Sequence, residues 1–289
     1  MELLHLKYFQ TVAKTEHMTN AAKKLNIVQP ALSRTINSLE KELGIDLFDR
    51  NGKSIKLNSN GKIFLRTVNE CLSILENGTK ELLDVNDKSN NEIKLLVLAG
   101  STTLSNLILN FKKLHPDVTF KLHQHMSKNL EYNDFDFCIS STLDEVKSPT
   151  SINLLEEELL IGVPINHPLA SKDSIFLEEV SEENFISFES DKPFRKISDS
   201  LCYYSGFSPK IVFESDVPYI VRQLIIAGLG ISFIPKVSWN MQSDNCLKLL
   251  KIIDPSCKRY LNISWDHNNY MSKSAKIFRD FAVEYYSML

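Results

Sequence analysis

Residues 18–50 read MTNAAKKLNIVQPALSRTINSLEKELGIDLFDR, and the pattern within them decides the fold. Thr19 stands where a hydroxyl caps a helix N-terminus, and Ala21, Ala22 and Leu25 give that helix a small apolar inner face that a second helix can approach closely. Asn26 to Gln29 interrupt the pattern, and Pro30 then falls at a first helical position, where a missing N–H costs nothing. Leu32, Ile36, Leu39 and Leu43 repeat at helical spacing until Gly44 ends the helix. The opposite face carries Gln29, Ser33, Arg34 and Asn37, side chains that hydrogen-bond to base edges and phosphates. A polar helical face alone is ordinary solvated surface. Joined to a small-residue helix through a short turn, it reads as the recognition helix of a helix-turn-helix.

The flanks extend this reading. Residues 2–15 are predicted to form a leading helix with Leu3, Leu6, Phe9, Val12 and Ala13 facing inward. Leu47 to Leu57 read as a β-hairpin with its turn at Asn51-Gly52, a wing that places Arg50, Lys53 and Lys56 beside a duplex. From Ser59 to Val85 a long helix is predicted. Its apolar positions Phe64, Val68, Cys71, Leu75, Gly78 and Leu82 alternate by four and three, a seam suited to a second copy of the same helix. The polar run 86–91 follows as a hinge. Charge divides at the same place: residues 1–66 hold 11 Lys/Arg against 6 Asp/Glu, whereas residues 67–289 hold 22 against 30. A basic N-terminal unit on an acidic body suits phosphate binding without non-specific adhesion of the whole chain.

The run AAKKLNIVQPALSRTINSLEKELGIDLFDR resembles the signature of LysR-type transcriptional regulators, densely over about the first 66 residues. VPINHPLA and ESDVPYIVRQLIIAGLGISFIPK resemble later family patterns more loosely. Val28 departs from the family pattern by standing where many members place Ser, Thr or Ala, which removes a hydroxyl from the start of the recognition helix. The resemblance implies an α/β chain of three parts: a winged helix-turn-helix over 1–58, a linker and dimerisation helix with hinge over 59–91, and an effector domain over 92–289. That domain would be two-lobed and like a periplasmic binding protein. Lobe I would take about 92–162 and 266–289, and lobe II about 163–265. It also implies a homo-oligomer, a dimer through the linker helix and a tetramer beyond it.

Beyond Glu92, strands and helices alternate in a βαβ rhythm that argues for parallel sheets covered on both faces. In such sheets, ligands bind beyond the carboxyl ends of strands, at helix N-termini with free N–H groups. Three places answer to that description: Ser101, Thr102 and Thr103 after the first strand; Ser140 and Ser141 at the end of another; and Phe188, Glu189 and Ser190 ahead of a helix containing Arg195. Arg195 is the candidate partner for an anionic ligand group, and Trp265 reads either as a cleft wall or as a core indole. Hydroxyls, helix ends and one arginine favour a small carboxylate or an amino-acid-derived metabolite.

Other function classes fit less well. An apolar fraction of 43% and a charged fraction of 24% are those of an ordinary globular chain, with no apolar run long enough to span a bilayer. The opening MELLHLKYFQ lacks the basic start and small-residue cleavage site of a signal peptide, which speaks against a secreted solute-binding protein and predicts a cytoplasmic one. His123 and His125 lack a third metal ligand at credible spacing, and Ala227-Gly228-Leu229-Gly230 is too poor in glycine for a dinucleotide fingerprint. Neither catalysis nor a cofactor is expected. The five cysteines show no zinc spacing and read mainly as small buried hydrophobes, with Cys202 the nominee for a redox role.

Overall fold

Small side chains at Ala21 and Ala22 let three short helices close around Phe9, Val12, Leu32, Ile36 and Leu39, all fully or almost fully buried. The computed structural model describes residues 1–51, 54–86, 91–126 and 132–289, and the helices are α1 (Leu3–Thr15), α2 (Met18–Lys24) and α3 (Gln29–Leu43). Thr19 is not the cap of α2. The helix starts at Met18, two residues earlier than a cap at Thr19 implies, so His17 is the N-cap, its Nδ1 accepting from the Asn20 N–H at 3.4 Å, and Thr19 lies exposed in the first turn. At the head of α3, Val28 makes no side-chain cap bond, and Gly44 closes the helix with a left-handed φ of 70°.

The wing is a hairpin of β1 (Phe48–Asn51) and β2 (Ser54–Leu57), in register from Phe48↔Leu57 to Asn51↔Ser54. Asn51 is therefore a strand residue and not the first residue of the turn. Gly52 and Lys53 lie outside the described residues, as do residues 87–90 of the expected hinge. The long helix α4 (Ser59–Val85) matches its expected span, and Asn58 caps it by accepting from the Gly61 N–H at 2.8 Å. Its seam, however, divides. Phe64 and Val68 pack into the core of their own domain, with Phe64 5.1 Å from Phe9 between ring centroids. Only Cys71, Leu75, Gly78 and Leu82 remain uncovered. The periodicity could not register this split, because the two halves share one helical stripe. Residues 1–89 form one compact unit together with Asn268–Tyr270, whose Tyr270 hydroxyl donates to Asp84 at 3.0 Å.

The other unit, residues 90–267 and 271–289, holds two large hydrophobic cores and a small cluster of Leu96, Phe135 and Cys138. In chain order it runs β3 (Glu92–Val97), α5 (Ser101–Leu114), β4 (Thr119–His123), β5 (Phe137–Thr142), β6 (Ser151–Pro164), β7 (Ser174–Ile175), β8 (Asn184–Ser187), α6 (Pro193–Tyr204) and β9 (Lys210–Glu214). It continues with α7 (Pro218–Ile226), β10 (Ser232–Pro235), β11 (Leu247–Ile252), β12 (Lys258–Ser264) and α8 (Lys273–Ser287). The sheets are mixed and not purely parallel. β3 pairs parallel with β4 and β5, and β8 with β9, but β6 and β12 run antiparallel to each other and to their other neighbours.

One 14-residue strand, β6, serves both lobes: Leu154 lies in the lobe I core and Leu159, Ile161 and Val163 in that of lobe II. β12 returns beside it, from Cys257 in the lobe II core to Leu261 and Ile263 in lobe I. The crossings thus fall at about 155–158 and 258–260, earlier than the expected Val163–Ile165 and Trp265–His267. Three consecutive glutamates, Glu156 to Glu158, hid the first half of β6 from a hydropathy reading.

Gly61 fixes how closely α4 meets the wing, since a Cβ there would stand 2.2 Å from the Leu47 carbonyl oxygen. Gly61→Ala is expected to destabilise the N-terminal unit by about 1–3 kcal/mol through overpacking. Urea denaturation followed by helical circular dichroism checks this; an unchanged first transition would contradict it.

Candidate nucleic-acid interface and effector cavity

On α3, Gln29, Pro30, Arg34 and Asn37 are exposed and Ser33 is half-buried, and helical spacing puts all five on one side. That side is opposite the buried Leu32, Ile36 and Leu39. The wing is tied to this helix by a residue that pattern-reading passed over as surface charge. Glu40 is only 6% exposed; its Oε1 accepts from the backbone N–H groups of Leu47 (2.8 Å) and Phe48 (3.2 Å). Arg50 then reaches back from β1, its Nη2 lying 2.5 Å from both Glu40 Oε2 and Asn37 Oδ1. Arg50, expected as a free wing contact, is thus also the clasp between wing and recognition helix. Lys53 falls outside the described residues, and Lys56 is exposed on β2.

The lobes of the second unit enclose a cavity of about 190 Å³. That is room for a one-ring metabolite. Lobe I contributes the end of β3, Gly100 and Ser101 at the start of α5, and Gln124 and His125 after β4. Lobe II contributes Phe188, Lys192, Phe194, Asp216 and Trp239, and Arg259 lines the cavity from β12. Phe188 and Trp239 stack at 5.6 Å with an interplanar angle of 18°, giving one aromatic wall. Lys192 pairs with Asp216 at 3.0 Å, and its Nζ lies 3.0 Å from His125 Nδ1 across the cleft.

Three helices begin on this cavity: α5 at Ser101, α6 just after Lys192 and α7 at Pro218. None has a side-chain cap, whereas α8, which begins elsewhere, is capped by Ser272. Uncapped N-termini leave N–H groups and a positive dipole end facing the enclosed space, a setting that favours an anion.

Of the residues expected to bind effector, Ser101 and Phe188 line the cavity, and the others lie elsewhere. Thr102 is exposed on the first turn of α5, and Thr103 is buried against Tyr286, their hydroxyls 2.9 Å apart. Ser140 and Ser141 lie within β5, where the buried Ser141 Oγ has no hydrogen-bond partner among the described residues. Glu189 and Ser190 are exposed loop residues. Arg195 is spoken for: it donates to Asp199 at 2.9 Å, Glu214 at 2.7 Å and the Phe188 carbonyl at 3.0 Å. Burial lowers its pKa, but the bonds to Glu214 and Asp199 outweigh that and raise it. Helical spacing explains the misplacement, since i and i+4 bring Asp199 onto the same stripe as Arg195. Trp265 packs in the lobe I core against Phe137, so the core alternative holds.

Lys192, Asp216, Trp239 and Arg259 were not foreseen. They come from four distant segments, and Arg259 stands in the polar run Lys258-Arg259-Tyr260, which carries no local mark of a site. Cys202 is fully buried, and burial pushes its thiol up to about 12, which removes the thiolate that a redox sensor needs. Among the described residues, no group of three or more potential ligands is placed to hold a metal ion, and no helix is long and apolar enough to cross a membrane.

Residues 3–62 match the family model of the bacterial regulatory helix-turn-helix protein, lysR family, and residues 91–287 match that of the LysR substrate binding domain. The uncharacterized HTH-type transcriptional regulator YybE of Bacillus subtilis is 35% identical, over 99% of this chain and all of its own length. The transcriptional dual regulator GltC of the same organism is 29% identical, over 100% of this chain and 99% of its own. Among solved structures, the effector binding domain of QuiR in complex with shikimate is 30% identical, with a TM-score of 0.56 over 68% of this chain and 97% of that one. The chain belongs to the LysR family of transcriptional regulators. It binds operator DNA through its helix-turn-helix, oligomerises, and is modulated by a small molecule held between the lobes of its C-terminal domain.

Glu40→Ala leaves the Leu47 and Phe48 N–H groups without their acceptor and the Arg50 guanidinium with Asn37 alone. It is expected to cost the N-terminal unit about 1–3 kcal/mol, read as a lowered Tm. An unaltered Tm would mean that the clasp contributes nothing.

Proposed function

We propose that α3 enters the major groove and that Gln29, Pro30, Ser33, Arg34 and Asn37 contact the operator, with Arg50 and Lys53 of the wing and Thr19 of α2 against the backbone. Residues 1–58 would form the DNA-binding domain, 59–91 the linker helix and hinge, and 92–289 the effector domain. Two chains would pair through the uncovered stripe of α4, where Leu75 is 52% and Leu82 65% exposed. Gly78, with nothing within 4 Å of a Cβ placed there, would leave room for the partner helix. Two such dimers would form the working tetramer, in the cytoplasm and without catalysis. A two-fold pair presents its recognition helices to half-sites about one helical turn or a multiple apart.

The effector is a small carboxylate. The observation that carries this is the convergence of three uncapped helix N-termini on a one-ring cavity. Shikimate, bound by QuiR, is the first probe to test. Ligand binding regulates only if the ligand prefers one arrangement of the DNA-binding pairs over another.

Arg34→Ala tests the DNA-facing half. Loss of a base or phosphate contact is worth about 1–3 kcal/mol, so operator affinity is expected to fall about 10–100-fold in a gel-shift titration while the sedimentation coefficient stays unchanged. Undiminished affinity would remove α3 from the groove.

A further inference from the structure

A buried ion pair joins the two strands that cross between the lobes. Arg259 on β12 and Glu157 on β6 are direct cross-strand partners, 1% and 2% exposed, with Nε 2.8 Å from Oε1. Glu157 is fully satisfied: its second oxygen accepts from the backbone N–H groups of Val237 (3.0 Å) and Ser238 (2.8 Å), and the Ser238 hydroxyl donates to its first. Arg259 is not. Nε goes to Glu157 and Nη2 to the Ser238 Oγ at 2.6 Å, while Nη1 has no hydrogen-bond partner among the described residues. The guanidinium lies 4.7 Å above the Phe194 ring, at the wall of the cavity.

A structural ion pair does not account for this arrangement. Two well-packed hydrophobic side chains of the same volume often stabilise a buried site as well as an ion pair does, since the cost of burying charges can exceed what their attraction returns. Two of the three guanidinium nitrogens serve only to fix the plane of the third. Lys192, the other cation at the cavity, is engaged by Asp216 and His125. The charges on both pairs balance, so the remaining positive potential is that of the three helix ends and the open Nη1. That potential suits one negative charge rather than two.

We propose that Arg259 is the anchor for a single carboxylate on the effector, with Glu157 as the positioning residue that aims it and the Phe188–Trp239 wall receiving the ring. This rests on the reading of the effector as a small carboxylate and adds which residue selects it. Because anchor and positioning residue sit on β12 and β6 at the crossing, the ligand is gripped at the hinge between the lobes and not on either lobe alone.

The test is isothermal titration of the full chain with three ring monocarboxylates, shikimate, benzoate and nicotinate, and with the methyl ester of each. Arg259→Met alone would strand the Glu157 charge, so the variant to use is the pair Arg259→Met with Glu157→Leu; Arg259→Lys is the second. At least one acid is expected to bind the wild-type chain. Its affinity should fall about 10–100-fold in both variants, the loss of one charge-assisted hydrogen bond. The corresponding ester should bind wild type and variants equally, which a purely structural role would not produce. Should the double variant fail to fold, Arg259→Lys alone decides, because it keeps a positive charge beside Glu157 but has no Nη1. Wild-type affinity for the acid in a folded variant would overturn the anchor while leaving a carboxylate site in place. A wild-type chain that binds none of the three acids would overturn the carboxylate reading and the anchor with it.

Discussion

The effector-binding half depends on two neighbouring strands. β6 places residues in both lobe cores, β12 runs beside it from Cys257 in one core to Leu261 and Ile263 in the other, and the two strands are held at their crossing by Glu157 and Arg259. Each lobe is otherwise self-sufficient, one core around Phe111, Phe137 and Phe278, the other around Phe185, Ile225 and Leu250. A two-lobed body needs a hinge stiff enough to keep the lobes in register and a cavity that opens at that hinge. A buried, fully bonded carboxylate beside a partly bonded guanidinium meets both requirements, because the same four hydrogen bonds that hold Glu157 also fix the arginine plane. Ligand contacts made there act on the angle between lobes with the shortest possible lever.

The N-terminal half uses the same device on a smaller scale. Glu40 is a buried carboxylate that satisfies two backbone N–H groups at the entry to the wing and holds Arg50 against the recognition helix. In both halves an arginine from a separate element closes onto a buried carboxylate, and the geometry of a binding surface is set by that closure. A charged anchor suits this purpose better than an apolar one, since directional hydrogen bonds specify orientation whereas dispersion does not.

The helix-turn-helix was legible because its signals are local. Leu32, Ile36 and Leu39 at helical spacing, Gly44 with its left-handed φ, and the small Ala21 and Ala22 each state their role within a few residues. The long helix was equally legible in extent, but its division into a covered and an uncovered half depends on Phe64 and Val68 joining the core around Phe9 of α1, which no periodicity records. The cavity was half legible. Ser101 and Phe188 follow from the rule that ligands sit beyond strand ends, whereas Arg195 satisfied the same rule and was captured instead by Asp199 one turn on. Arg259 was illegible for the opposite reason. Its environment is made by Glu157, Ser238 and Phe194, residues 102, 21 and 65 positions away, and a basic residue at a strand start carries no local mark of burial.

Recognition of specific DNA sites by a two-fold pair of recognition helices is tested most directly by incubating sheared genomic DNA with the full chain at moderate salt and sequencing the fragments retained. One or a few sites are expected, each an interrupted palindrome with half-sites spaced by about one helical turn or a multiple of it. Retention without sequence preference, or of single unpaired half-sites, would contradict that recognition.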